Sequence, residues 1–396
     1  MASGSVLASV PMSSRTLACL SGGARVNVPV GVGVVGCGTI SEAYLRNMNA
    51  SPYLKVVACA DQVLERAQAR AKEFGVPHAW TTDELLRSDE VELVVNLTIP
   101  LAHAEISLAA LRAGKHVFTE KPLATTRDDG RLILDAAASS GLKVGCAPDT
   151  FLGAGIQTCL RLMDQGELGE PLAASAFMLN RGPENWHPNP GFFYERGGGP
   201  LLDVGPYYIT TLVCLLGAVR RVAGMARVLY PTRTADSGPR AGETFKVSTP
   251  TFVAALIEFE SGTQVTLINS FGIWGHDLPN MQIYCTKGIL SVPDPNYFRG
   301  PVKIRPNEDE SVWREVPLLY HHTLGSANFR GLGVAEMALA IGRGENPRAG
   351  GELAYHVLDV MESIQESYTA GRHVEVRSNC RPPSLLPLDD NLVVAT

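Results

Sequence analysis

The hydrophobic pattern changes abruptly at Val30. Residues 1–28 mix Ser, Gly, Ala and Val in no regular order, with only Arg15 and Arg25 charged. Then a short apolar run, Val30-Gly-Val-Gly-Val-Val35, ends in Gly36-Cys37-Gly38. Ile40, Ala43, Tyr44 and Met48 recur on related faces and predict a helix after it. The alternation continues. An apolar run at 55–60 precedes a charged helix over 62–74, closed by Gly75 and Pro77. A run at 93–98 precedes a helix from Ala102 to Ala113, stopped by Gly114, and strands at 116–119 and 142–146 flank a helix near 128–139. Strands alternating with helices at this spacing predict βαβ units and a parallel sheet, and their near-continuous apolarity predicts burial on both faces.

Beyond about Asp149 the pattern becomes one of long β-like runs: 172–180, 221–229, 252–260, 263–271, 281–286 and 288–293. A helix at about 153–165 precedes them. Ser261-Gly262 and Lys287-Gly288 predict hairpins, 231–250 reads as an exposed polar loop, and helices at 331–343 and 352–370 follow. The expected fold class is an α/β Rossmann N-terminal domain plus an α+β C-terminal domain with a large, mostly antiparallel sheet. The expected divisions are a disordered leader (1–28), a dinucleotide-binding domain (29–148), a substrate and oligomerisation domain (149–378) and a tail (379–396).

Composition narrows the function classes. The 396 residues are 45% hydrophobic and 19% charged, and no apolar run is long enough to span a membrane. A net charge of −6 without a Lys/Arg cluster argues against a nucleic-acid surface. The eight cysteines show no metal-type spacing, no histidine group resembles a metal site, and reduced thiols in a cytoplasmic setting are expected.

Four local patterns carry chemistry. Gly36-x-Gly38-x-x-Ser41 joins a strand to a helix; its first Gly permits a tight turn, and its second lets the backbone approach a pyrophosphate at the helix N-terminus. Asp61 ends the next strand, 23 residues after Gly38. A carboxylate there can accept both ribose hydroxyls and repels a 2′-phosphate, which points to NAD rather than NADP. Gly36, Cys37, Gly38, Thr39, Ile40 and Asp61 are its expected contacts.

Glu120-Lys121-Pro122 ends the strand that begins near His116, where ligands of open parallel sheets bind. A lysine there can donate or accept a proton, and on spacing alone it is equally a surface lysine before a turn proline. Gly197-Gly-Gly-Pro-Leu-Leu-Asp203-Val-Gly205-Pro-Tyr207-Tyr208 puts Asp203 and Tyr207 on one helical face, with Tyr208 read as core. Tyr207 is alternatively an ordinary core aromatic. Asn185-Trp186-His187-Pro-Asn189 offers a ring to stack on sugar C–H surfaces and groups to bind hydroxyls, or is an irregular loop around a structural Trp.

From about Val30 to Val374 the chain resembles the glucose-fructose oxidoreductase / inositol dehydrogenase / rhizopine catabolism (Gfo/Idh/MocA) family. Gly36-Cys-Gly38, Asp61, Asn96-Leu-Thr98-Ile-Pro-Leu-Ala-His103, Ala113-Gly-Lys-His-Val-Phe-Thr-Glu-Lys-Pro122 and the glycine run before Asp203 carry the resemblance. It implies Glu120 near the nicotinamide, Lys121 near the reacting carbon, and a cis bond between Lys121 and Pro122. It puts Leu97, Thr98 and His103 beside the adenosine half, and Asp149 and Thr150 against nicotinamide or substrate. The family's usual histidine is Tyr207 here. With the Lys121 ammonium beside it Tyr207 can share the proton; without it, Tyr207 only orients the substrate.

The expected catalytic group is therefore Lys121, Asp203 and Tyr207, with Asp149, Trp186, His187, Asp203 and Tyr207 contacting substrate. His321, His322, Asn328 and Arg330 are candidates to close the pocket. The expected activity is hydride transfer between NAD and a secondary alcohol or ketone of a sugar, glycoside or cyclitol. A homodimer or homotetramer is expected, through the exposed face of the C-terminal sheet. Two other readings use the same residues. One is a redox-neutral lyase or glycosidase recycling NAD through a transient keto-sugar. The other is a non-enzymatic NAD or sugar sensor, which has no use for a Lys121–Asp203 proton relay.

Overall fold

The computed structural model describes residues 29–308, 312–320, 328–388 and 392; Cys19, His321 and His322 lie outside them. Six parallel strands form the first sheet: β1 (Val30–Val35), β2 (Leu54–Ala60), β3 (His78–Trp80), β4 (Leu93–Asn96), β5 (His116–Thr119) and β6 (Val144–Cys146). Their spatial order is β3-β2-β1-β4-β5-β6. The connecting helices are α1 (Ser41–Asn49), α2 (Leu64–Phe74), α3 (Thr82–Arg87), α4 (His103–Arg112) and α5 (Arg127–Ser140). The strand order reverses between β1 and β4, which opens a crevice at their carboxyl ends, where such sheets bind ligands.

β3 and α3 are absent from the sequence-based expectation. β3 is three half-buried residues long, too short for periodicity to register. Thr81 and Glu84 mark the start of α3 with a capping box, each side chain bonding the other's backbone N–H.

The C-terminal half opens with α6 (Ala154–Asp164), β7 (Pro171–Leu179), α7 (Pro200–Asp203), α8 (Gly205–Leu216) and β8 (Val219–Arg227). Next come β9 (Thr232–Thr234), β10 (Thr244–Lys246), β11 (Phe252–Phe259), β12 (Gln264–Ser270), β13 (Met281–Cys285) and β14 (Gly288–Val292). β15 (Val302–Pro306), β16 (Arg314–Val316), α9 (Leu332–Arg343), α10 (Gly351–Ala370) and β17 (Val374–Glu375) complete it. Nine strands form one sheet in the order β16-β15-β14-β13-β7-β12-β11-β8-β17, antiparallel except for β7 beside β12.

Helices α6, α8 and α10 pack on one face of this sheet. On the other face the register aligns Met225, Ala254, Ile268 and Phe177 in a row across four strands. Residues 231–250 are not simply an exposed loop: β9 and β10 pair as a hairpin there, and Arg233 reaches inward from it. No described helix is long and apolar enough to cross a membrane.

Two features join the halves. Arg127, at the start of α5, is buried against α10, where it pairs with Asp359, Glu362 and Glu366 and donates to the Ser363 hydroxyl at 2.8 Å. The stretch expected as a tail is docked where it is described. Leu386 N–H donates to Gln157 Oε1 at 3.0 Å, the Tyr320 hydroxyl donates to the Leu386 carbonyl at 2.8 Å, and the Leu392 carbonyl accepts from Ser51 at 3.4 Å.

Candidate active site

The turn after β1 forms because Gly36 sits at φ +101°, where a Cβ would lie 2.6 Å from the Leu97 carbonyl carbon. A Cβ on Gly38, by contrast, would meet nothing within 4 Å, so that side of the loop is open to a ligand. Ser41 turns inward, donating its hydroxyl to the Gly38 carbonyl at 2.6 Å. The Asp61 carboxylate accepts Cys37 N–H at 2.8 Å and Val63 N–H at 2.9 Å, which fixes it beside the loop. An open glycine, a helix N-terminus and an anchored carboxylate are the parts a dinucleotide needs, so these residues fit NAD.

Lys121 lies two residues beyond the end of β5, and its peptide bond to Pro122 is cis. Its ammonium donates to the Asp203 carboxylate at 2.7 Å and to the Asp203 carbonyl at 2.6 Å. Burial alone would lower its proton affinity, but Asp203, then Tyr207 and Glu120, more than offset this. The net shift is upward, which favours the ammonium form of Lys121. Its Nζ lies 5.4 Å from the centre of the Tyr207 ring. Glu120 accepts from the Tyr44 hydroxyl at 2.8 Å with one oxygen and from Lys121 N–H at 3.0 Å with the other.

These residues meet in a cleft of about 700 Å³ between the two halves. Ile40, Leu97, Thr98, Glu120 and Lys121 line it from the first domain; Trp186, Asp203 and Tyr207 line it from the second. The glycines before Asp203 allow close packing: a Cβ on Gly198 would lie 2.5 Å from the Phe193 carbonyl oxygen. Trp186 is 65% exposed at the cleft, in a cluster with His187, Phe192 and Phe193 whose ring centres are 4.0–6.0 Å apart. Arg233 and the Tyr194 hydroxyl bind Glu184 at 2.5 and 2.7 Å and brace this lip.

Four expected contacts take other positions. Asp149 is 1% exposed and lies behind the cleft, where its Oδ2 accepts Gly331 N–H at 3.0 Å and Gly333 N–H at 2.9 Å. Burial pushes its carboxyl up to about 6, against the opposing pull of those N–H groups and of Arg330. Thr150 is likewise buried. His103 is fully buried, and its ring bridges the Pro122 carbonyl at 2.7 Å and the Thr98 carbonyl at 3.0 Å, tying together the loops after β4 and β5. His187 packs within the ring cluster and accepts Asn189 N–H at 3.0 Å; it is not among the lining residues. Tyr208 is core, accepting from Asn280 at 3.1 Å.

Sequence reasoning passed over Tyr44 as a helix-face residue and did not single out Asn180, Asp294, Asn296 or Tyr297, all four of which line the cleft. Arg330 stands in the cleft, as its position before a helix suggested.

Two models of one family match the chain: an NAD-binding Rossmann-fold oxidoreductase model over residues 30–147, and the GFO/IDH/MocA C-terminal domain over 156–291. The chain is 34% identical over 213 residues to dTDP-3,4-didehydro-2,6-dideoxy-alpha-D-glucose 3-reductase of Streptomyces violaceoruber, covering 53% of this chain and 61% of that one. It is 31% identical over 206 residues to 1,5-anhydro-D-fructose reductase of Ensifer adhaerens, covering 49% and 61%. The matches thus span about three-fifths of each relative's length. The fold is similar to that of levoglucosan dehydrogenase in complex with NADH and levoglucosan, with a TM-score of 0.76 at 21% identity over 88% of this chain and 100% of that one. The paired family models cover more than half of the 396 residues, and the chain belongs to the Gfo/Idh/MocA family of NAD-binding oxidoreductases.

Proposed function

We propose that this protein is an NAD-dependent oxidoreductase that interconverts a secondary alcohol and a ketone on a sugar, glycoside or cyclitol. The observation that carries the reading is the Lys121–Asp203 pair, formed across the cleft from an ammonium of one domain and a carboxylate of the other. A bound nicotinamide would supply the hydride acceptor or donor. Lys121, as an ammonium, orients the reacting oxygen and stabilises negative charge on it. Asp203 holds Lys121 and accepts from a neighbouring hydroxyl. Tyr207, between Lys121 and Arg330, carries the proton. Trp186 and Phe192 offer exposed ring faces to sugar C–H groups. The anchored Asp61 carboxylate supports NAD over NADP. The sugar names of the relatives support the substrate class. The apolar row on the outer sheet face supports a homodimer or homotetramer.

The test is a panel of levoglucosan, methyl β-D-glucoside, myo-inositol and related polyols with NAD, read by NADH absorbance and NADH fluorescence. Steady NADH accumulation is expected with at least one of them, whereas a cofactor-recycling lyase would release none. Lys121→Ala should lose about 100-fold or more in kcat while still binding NADH. Wild-type protein that fails to bind either form of the cofactor overturns the reading.

A further inference from the structure

Arg330 is the sole arginine lining the cleft among the described residues. Its Nη2 donates to the Tyr207 hydroxyl oxygen at 3.1 Å and to Asn296 Oδ1 at 2.8 Å, and its Nη1 donates to Asn328 Oδ1 at 3.1 Å. All three partners are neutral, and no ion pair joins Arg330 to a described carboxylate. The half-buried guanidinium feels the Glu120 and Asp149 carboxylates but bonds neither, so its side-chain donors are aimed at neutral oxygens. The other cation beside Tyr207 is Lys121, and Asp203 already matches its charge at 2.7 Å. Of the three groups that accept its side-chain hydrogen bonds, only the Tyr207 hydroxyl can take up negative charge, the other two being amides.

The backbone of this segment is held with unusual care. The Asn47 amide of α1 donates to the Arg330 carbonyl at 2.9 Å and to the Asn328 carbonyl at 3.1 Å. Asp149 accepts the next two available N–H groups on the same side, from Gly331 and Gly333. The dinucleotide-binding half and the residue that follows it thus fix the arginine, while its side chain bonds a tyrosine of α8 in the other half. A loop that merely closed a pocket would need none of this.

We propose that Arg330 is a positioning residue that acts through Tyr207: it fixes the phenol and stabilises negative charge on its oxygen while the proton is away. The charged groups facing Tyr207 are Arg330, Lys121, Asp203 and Glu120. In oxidation the substrate hydroxyl passes its proton to that oxygen in its phenolate form, the carbon-bound hydrogen leaves with two electrons to the nicotinamide, and the phenol then gives the proton to solvent. The proposal rests on Tyr207 being the proton carrier.

The test is a cycle of Arg330→Met, Tyr207→Phe and the double variant, assayed with NAD and the best substrate of the panel above. Each single change should lower kcat by about 100-fold, as loss of one preorganised donor does. The double variant should fall no more than about threefold below the worse single, because both changes remove one unit. NADH affinity should stay within about threefold in Arg330→Met, and Arg330→Lys should keep about ten times the kcat of Arg330→Met. A substrate-free readout accompanies it. The ultraviolet phenolate signal of Tyr207, isolated by subtracting Tyr207→Phe, should be larger in wild type than in Arg330→Met at the same alkaline pH. Effects that multiply, an unchanged phenolate signal, or loss of NADH binding in Arg330→Met would each overturn the proposal. Normal turnover by Tyr207→Phe would instead overturn the underlying reading of the site.

Discussion

Asp149 shows how a residue can serve a site without lining it. Its carboxyl is dry, and the N–H groups of Gly331 and Gly333 hold one of its oxygens. Its affinity for a proton rises from the ordinary 3.8 to about 6 on folding. A carboxyl raised in this way favours the folded state fully below 3.8, and that contribution is lost as pH climbs through about 6. Between about pH 7.5 and pH 5 the wild type should therefore gain about 1 kcal/mol relative to Asp149→Asn, which is neutral throughout. Urea denaturation of both proteins across that range checks this, and parallel pH dependences would refute it. The sequence could not separate Asp149 from a substrate contact. Its position after a parallel strand is right for a ligand, and only the return of the chain some 180 residues later, at Gly331 and Gly333, turns the carboxylate away. Tyr44 was hard to read for the same reason: its partner Glu120 is remote in sequence. Gly36, Gly38 and Asp61 were readable because the strand–turn–helix that uses them is local.

At the scale of elements, hydrophobic periodicity recovered most helices and the apolar strands of both sheets, but not α8, which is buried all round and so shows no polar face. It failed where elements are short or half-exposed, as with β3, β9, β10, β15 and β16. It also could not foresee the contact between α5 and α10. Arg127 reads as an ordinary charged residue near a helix start. In the fold it is buried against Asp359, which is itself fully buried and also accepts the N–H groups of Arg377 and Ser378. Arg127→Ala leaves that carboxylate without its cation, and breaking a buried pair from one side costs about 3–5 kcal/mol. The expected outcome is a large loss in thermal stability. Because Arg127 does not line the cleft, NADH affinity below the transition should change little. A melting temperature within a degree or so of wild type would show that the cluster is not a structural tie.

At the scale of the whole molecule, the nine-stranded sheet has one face under helices and one in the open. Met225 and Leu256 on the open face are 79% and 61% exposed, beside Ala254, Ile268 and Phe177. Large apolar side chains gathered on a flat sheet favour self-association. The paired change Met225→Glu and Leu256→Glu should shift the protein to a monomer in light scattering while leaving its circular dichroism unchanged; a mass unaltered by both charges would exclude this face as the interface. The alternation of predicted strands and helices told the two halves apart, but the way they face each other lay beyond any local pattern. The Lys121–Asp203 bond crosses that seam, and its consequence concerns descent with modification. The nucleotide grip and the second domain's wall of the cleft sit on separate stretches of chain, so drift in that wall can alter what the cleft accepts without touching the grip. That freedom has one toll, since each altered wall must still bring a carboxylate to the same ammonium.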